Sequence, residues 1–146
     1  MRDVRLTWKV GVMSLRCVIV DDSPGFIAAA RSLLERQGLT IVGVASNCAE
    51  GLRLAAELRP DVILVDIDLG SESGFELARR LDQMRASTPV RVILISTHSE
   101  EDYADLIGDS PALGFLSKAV ISATTIRQLL GRGRDPVGPV SGPPAC

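Results

Sequence analysis

The sequence is poor in the residues that most often carry chemistry alone. It has one histidine, His98, and three cysteines, Cys17, Cys48 and Cys146, an odd number without metal-ligand spacing. That argues against a disulfide framework or a Cys/His metal site. Cys17 opens an apolar run and Cys48 lies in a helical one, so both read as buried reduced thiols, expected in a reducing compartment, the cytoplasm. Aromatics are only 3%, which leaves the core to Val, Ile, Leu and Ala. No stretch approaches the roughly 18–20 apolar residues of a membrane span. Residues 1–14 lack the apolar core of a signal peptide, and Met13 stands where a natural start would suit. There is no basic stripe either: 16 basic and 18 acidic side chains give a net charge of −2. A mixed, solvated exterior follows, with no surface for nucleic acid or an anionic membrane.

What remains is an ordinary globular composition. With 146 residues, 46% hydrophobic and 23% charged, the chain fits one domain with short extensions. Short apolar runs alternate with segments of helical period. Cys17–Val20 is β-branched and ends at Asp21-Asp22; Ser23-Pro24 then starts a helix carrying Phe26, Ala30, Leu33, Leu34 and Gln37, stopped at Gly38. Thr40–Ala45 is a second strand. Asn47 caps a helix with Ala49, Leu52, Ala55 and Ala56 on one face, ended before Pro60. Val62–Val65 is a third strand ending at Asp66, followed after Gly74 by a helix over 75–85. Val90–Ile95 is a fourth, ending at Ser96, and Ser99 with three acidic residues opens a short helix to Ile107. Leu113–Leu116 is a fifth strand before Ser117-Lys118, and Ser122 caps a last helix that Gly131 ends.

Five strands alternating with five helices predict an α/β fold, a doubly wound parallel sheet covered on both faces. Unbroken apolar runs suit parallel strands, which are buried on both sides. Right-handed crossovers then favour the flavodoxin-like order 2-1-3-4-5. The division expected is an extension over 1–14, the domain over 15–131 and a Gly/Pro-rich tail over 132–146.

In such a sheet all strand C-termini open on one edge, and strands one and three flank the reversal of order. Asp21, Asp22 and Asp66 therefore converge there, with Ser96 and Lys118 brought by strands four and five. Crowded carboxylates repel unless a cation neutralises them. A hard ion with oxygen ligands, Mg²⁺, suits a site without Cys or His. A hydroxyl and an ammonium opposite suit an incoming phosphoryl group. Taken singly, each residue has a plainer explanation, such as a helix cap, a turn residue, a satisfied hydroxyl or a solvated lysine. It is their joint position at four strand ends that points to a site.

The segments VIVDDSP, ILVDIDLGSESG, VILIST and GFLSK occur in that order, and over residues 16–131 the chain resembles a response-regulator receiver domain. The resemblance implies a two-component signalling protein, not an enzyme beyond its own phosphorylation and dephosphorylation. It implies Asp66 as acceptor of a phosphoryl group from a sensor histidine kinase or histidine phosphotransfer protein. Mg²⁺ would be held by Asp22, Asp66 and the backbone carbonyl of Asp68, with Asp21 acting through water. Ser96 and Lys118 would bind the phosphoryl group, Phe115 would be an aromatic switch following Ser96, and Asp68, Thr97 and His98 would tune its lifetime. The fourth helix, fifth strand and fifth helix would be the surface for a downstream protein target or a homodimer.

Three residues depart from the family pattern: Gly70 and Ala119 where Pro is common, and Thr97 where a smaller residue is usual. Gly70 is expected to loosen the loop after Asp66, Thr97 to narrow the approach, and Lys118–Ala119 to be trans, since a cis bond there would cost about 2.5–4 kcal/mol. Two alternatives accompany this reading. One is a receiver piece of a DNA-binding regulator, though a stand-alone receiver is expected. The other is a haloacid-dehalogenase-type phosphatase starting at Asp66-Ile67-Asp68, which the early position of Asp21-Asp22 opposes.

Overall fold

The structure, a computed structural model, describes residues 15–134. The expected extension over 1–14, the Met13 start, Cys146 and most of the tail lie outside the described residues. Five parallel strands form the sheet: β1 (Arg16–Val20), β2 (Thr40–Ala45), β3 (Val62–Asp66), β4 (Arg91–Ser96) and β5 (Gly114–Ser117). Their order is 2-1-3-4-5, as the sequence predicts. Four α-helices cross between them, α1 (Pro24–Arg36), α2 (Cys48–Leu58), α3 (Gly74–Gln83) and α4 (Ala104–Asp109), and α5 (Ala123–Arg134) follows β5.

The apolar runs are continuous because each strand feeds two cores. Cys17, Ile19, Val62, Leu64, Ile93, Ile95 and Leu116 pack with Ala30 and Leu34 of α1 and Ile126 of α5. Their neighbours Val18, Val20, Ile63, Val65, Val92, Leu94 and Phe115 pack on the other face with Ala55 of α2 and Leu77, Ala78 and Leu81 of α3. Side chains alternate along a strand, so one run serves both layers. Cys17 sits in the first layer and Cys48 in the second, both as free thiols. Burial pushes their pKa values up to about 12 and about 11 respectively, the latter raised further by Glu72.

Local chemistry explains the helix starts. The side chains of Ser23, Asn47 and Ser73 each accept a backbone N–H from the first turn of the helix they precede. Ser122 Oγ does the same for Thr125 at 3.0 Å, while Gln37 Oε1 reaches across from α1 to accept the N–H of Ala123 at 2.7 Å.

Several expectations are corrected. Helix α2 buries Cys48, Gly51 and Ala55 and leaves Ala49 and Ala56 exposed, because small residues permit the close approach to β1 and α3. Helix α3 ends at Gln83, where Ser87 and Thr88 N–H groups turn back to the Met84 carbonyl. The segment after Ser99 is a 3-10 turn (Glu100–Tyr103) followed by α4, not one helix. Gly131 does not stop α5, which runs to Arg134.

One feature had no sequence expectation. Asp68–Leu69 pairs antiparallel with Glu72–Ser73, a small hairpin directly after β3. Gly70, expected to loosen this loop, has φ +74° and begins its two-residue turn. Glu72 Oε1 accepts the Cys48 N–H at 2.9 Å, tying the hairpin to α2. At the hairpin's far end a Cβ on Gly74 would fall on the Asp66 carbonyl oxygen and 2.9 Å from its carbon. Gly74→Ala is therefore expected to destabilise the chain by about 3 kcal/mol. A Cβ on Gly131 meets open space, so Gly131→Ala should stabilise by about 0.5–1 kcal/mol. Urea unfolding midpoints of the two variants check both signs.

Candidate functional site

The reversal of strand order sets β1 beside β3, so the residues leaving their C-termini share one crevice. Asp21 is fully buried there and Asp66 is 6% exposed. Each carboxylate spends one oxygen on its own loop: Asp21 Oδ1 accepts the Ser23 N–H at 2.8 Å, and Asp66 Oδ1 accepts the Asp68 N–H at 3.1 Å. Their other oxygens face a single cation. Lys118 Nζ lies 2.6 Å from Asp21 Oδ2 and 3.2 Å from Asp66 Oδ2. The Asp66 contact is a regular hydrogen bond, whereas the Asp21 contact is an ion pair only, leaving Asp21 Oδ2 buried without a hydrogen-bond partner.

Asp22 is exposed at the rim, and oxygen atoms of Asp21, Asp22 and Asp66 all lie within 4.8 Å of one another. Three carboxylates against one ammonium leave an excess of negative charge. Burial first, and Asp21 next to it, raise the Asp66 pKa against the opposing pull of the Asp68 N–H and Lys118. Burial works against the Lys118 ammonium, but Asp21 and Asp66 together outweigh it and raise its pKa. A cluster of oxygen donors, one of them buried and lacking a hydrogen bond, fits a hard divalent cation.

Ser96 ends β4 beside this pair: Asp66 registers with Ile95, and Ser96 with Ser117, the residue before Lys118. It is 2% exposed, and its Oγ accepts the His98 N–H at 3.0 Å. Thr97 and His98 follow it on the exposed rim, with the His98 ring edge-on to Tyr103 at 6.0 Å. Phe115 is buried in the second core layer, with Tyr103 and Ile107 packed against that layer. Asp68 lies exposed in the hairpin. No peptide bond among the described residues is cis, so Lys118–Ala119 is trans as expected. The N–H that a proline would lack is used: Ala119 donates to Ser117 Oγ at 3.2 Å.

Sequence reasoning placed Phe26 on the apolar face of α1 and gave it no part in the site. Its ring lies under Lys118, with Nζ 4.3 Å from the ring centroid. Ser23 and Glu72 were likewise given no part in holding the Asp21 and Asp66 loops. Their only signals were position, Ser23 and Phe26 just after Asp22 and Glu72 shortly after Asp66.

The family described as response regulator receiver domain matches residues 17–130. A Pseudomonas aeruginosa protein described as a transcriptional regulator is 36% identical over 103 residues, 70% of this chain and 49% of its own length. Protein PilH of the same species is 30% identical over 114 residues, 78% of this chain and 93% of its own. The signal receiver domain of NarL from Mycobacterium tuberculosis superposes with a TM-score of 0.71 at 28% identity, covering 84% of this chain and 98% of that one. The chain spans about half the length of the first curated relatives it matches, BvgA of Bordetella pertussis among them.

The raised pKa of Asp66 carries a sign. The folded chain holds this proton more tightly than the unfolded chain does, so stability is lost as pH rises from the unfolded carboxyl value through the folded one. Above that window the buried charge only costs. Asp66→Asn, with divalent ions chelated, is expected to raise the urea midpoint at pH 7, and the gain should vanish as pH falls below the carboxylate range. An Asp66→Asn midpoint below wild type at pH 7 would contradict this.

Proposed function

The chain belongs to the response regulator receiver domain family, and from that premise we propose that it is a phospho-acceptor switch whose acceptor is Asp66. The observation that carries this is the shared cation: Lys118 bridges Asp21 and Asp66 in the crevice at the end of β1 and β3. It follows that the phosphatase alternative falls away, since the family accounts for nearly the whole described chain.

In the reaction, a carboxylate oxygen of Asp66 attacks phosphorus in a phosphohistidine of a sensor kinase or phosphotransfer protein. The new O–P bond forms as the P–N bond breaks, and the imidazole nitrogen keeps the electron pair and takes a proton. Mg²⁺, when bound there, would supply charge neutralisation for the carboxylates and the phosphoryl oxygens. Asp22, Asp66 and the Asp68 carbonyl would hold it directly, and Asp21 through water. Lys118 exchanges its hydrogen bond to Asp66 for one to a phosphoryl oxygen, and Ser96 turns its hydroxyl to another. Such charge stabilisation, already oriented, supplies most of the rate in phosphoryl transfer. Asp68, Thr97 and His98, at the rim, set how water reaches the acyl phosphate, and so its lifetime.

Phe115 couples this to a protein-binding surface formed by α4, β5 and α5. Its burial makes it a core residue first, so switching would require the packing around Tyr103 and Ile107 to yield. The receiver unit we propose is 15–131, which spans the family match over 17–130. A second reading, that it works as the receiver part of a transcriptional regulator, is favoured by relatives of that description matched over about half their length.

Incubation with acetyl phosphate and Mg²⁺ followed by mass spectrometry tests the reading. One phosphoryl group should add to wild type, none to Asp66→Asn, and none after chelation. Lys118→Ala should slow labelling by roughly ten- to a hundredfold. Labelling of Asp66→Asn at the wild-type rate would refute the assignment.

A further inference from the structure

Lys118 has to hold its ammonium at one point although it stands at the start of a short 3-10 turn whose next two residues, Ala119 and Val120, are exposed. A long lysine side chain loses rotamer freedom when it is fixed at one point. The backbone here is set by the Ala119 N–H on Ser117 Oγ, but that bond does not restrain the side chain. Asp21 and Asp66 attract the ammonium from the crevice side.

The Phe26 ring also lies against the ammonium, 4.3 Å from Nζ to its centroid. Its own place is fixed. The Phe26 N–H donates to Ser23 Oγ at 3.3 Å, and the Ser23 N–H donates to Asp21 Oδ1 at 2.8 Å. The ring packs against the first core layer. Asp21, Ser23, Phe26 and Lys118 thus form a closed circuit, in which one carboxylate orients the first turn of α1 and also pairs with the ammonium that the turn's aromatic ring supports. An aromatic face attracts the charge without accepting an N–H in a directed hydrogen bond. It leaves the ammonium hydrogens free for Asp66 and for an incoming acceptor, with Asp21 paired by charge.

We propose that Phe26 is a positioning residue for Lys118, its ring face keeping the ammonium aimed into the crevice; this rests on the phospho-acceptor reading above. The electrostatics of the ring, beyond its bulk, do the work. Phe26→Leu keeps the apolar packing and loses the attraction, whereas Phe26→Tyr keeps both.

Labelling rates with acetyl phosphate and Mg²⁺ decide it, measured for wild type, Phe26→Leu, Phe26→Met and Phe26→Tyr, each also in a Lys118→Ala background. Circular dichroism confirms folding, and Phe26→Met stands in should Phe26→Leu not fold. Phe26→Leu or Phe26→Met should slow labelling about three- to tenfold, while Phe26→Tyr stays within about twofold of wild type. In the Lys118→Ala background the same changes should have no further effect, which loss of mere packing would not produce. The proposal is overturned if the aliphatic variants label at the wild-type rate, if Phe26→Tyr slows as much as they do, or if the slowing persists without Lys118. No label on wild type would overturn the phospho-acceptor reading and this inference with it; a labelled wild type with a flat Phe26 series would overturn this inference alone.

Discussion

Two buried carboxylates sharing one ammonium is the constraint around which the carboxyl edge of the sheet is built. Asp21 and Asp66 are held where water would ordinarily stabilise them and is mostly excluded, and Lys118 answers both. Because three acidic groups face that one cation, the site is under-neutralised as it stands. Such a site is poised to accept positive charge and to respond when an anion arrives. The strain is tolerable because the same strands bury two full apolar layers elsewhere. Stability comes from the sheet interior, and the crevice draws upon it.

The surrounding loops hold the charges in register. Backbone N–H groups of Ser23 and Asp68 each fix one oxygen of a carboxylate and aim the other at Lys118. The hairpin after β3 is pinned to α2 through Glu72, and Gly74 lets the start of α3 lie against the Asp66 carbonyl. The two carboxylate bonds are short-range, each spanning two residues, whereas the Glu72 tie reaches across 24.

The sheet was legible because interior parallel strands must be apolar without interruption, and β1, β3 and β4 each hold such a run. The meeting of Asp21, Asp22, Asp66 and Lys118 at one edge was legible because each stands at or just past the end of a strand. Features that depend on closeness between helices were not. Cys48, Gly51 and Ala55 form the buried stripe of α2 because they are small enough to approach β1 and α3, a reason invisible to a count of hydrophobic spacing. The hairpin escaped notice because Asp68–Ser73 is mostly polar and each of its strands has two residues, too few to show a period. Gly131 misled because glycine ends a helix only when the backbone takes a left-handed turn, and α5 continues through it. The Phe26–Lys118 contact joins residues remote in sequence, and nothing in either segment announces the other.

The two described thiols divide the molecule in a useful way. Cys17 lies on one face of the sheet and Cys48 on the other, and both are protonated and shielded at neutral pH. A thiol reagent can therefore reach either one only when its own layer opens. The chain carries a native pair of exchange reporters, one for the α1–α5 side and one for the α2–α3 side. Comparing how fast each is modified would tell whether the two halves of the protein breathe together or separately.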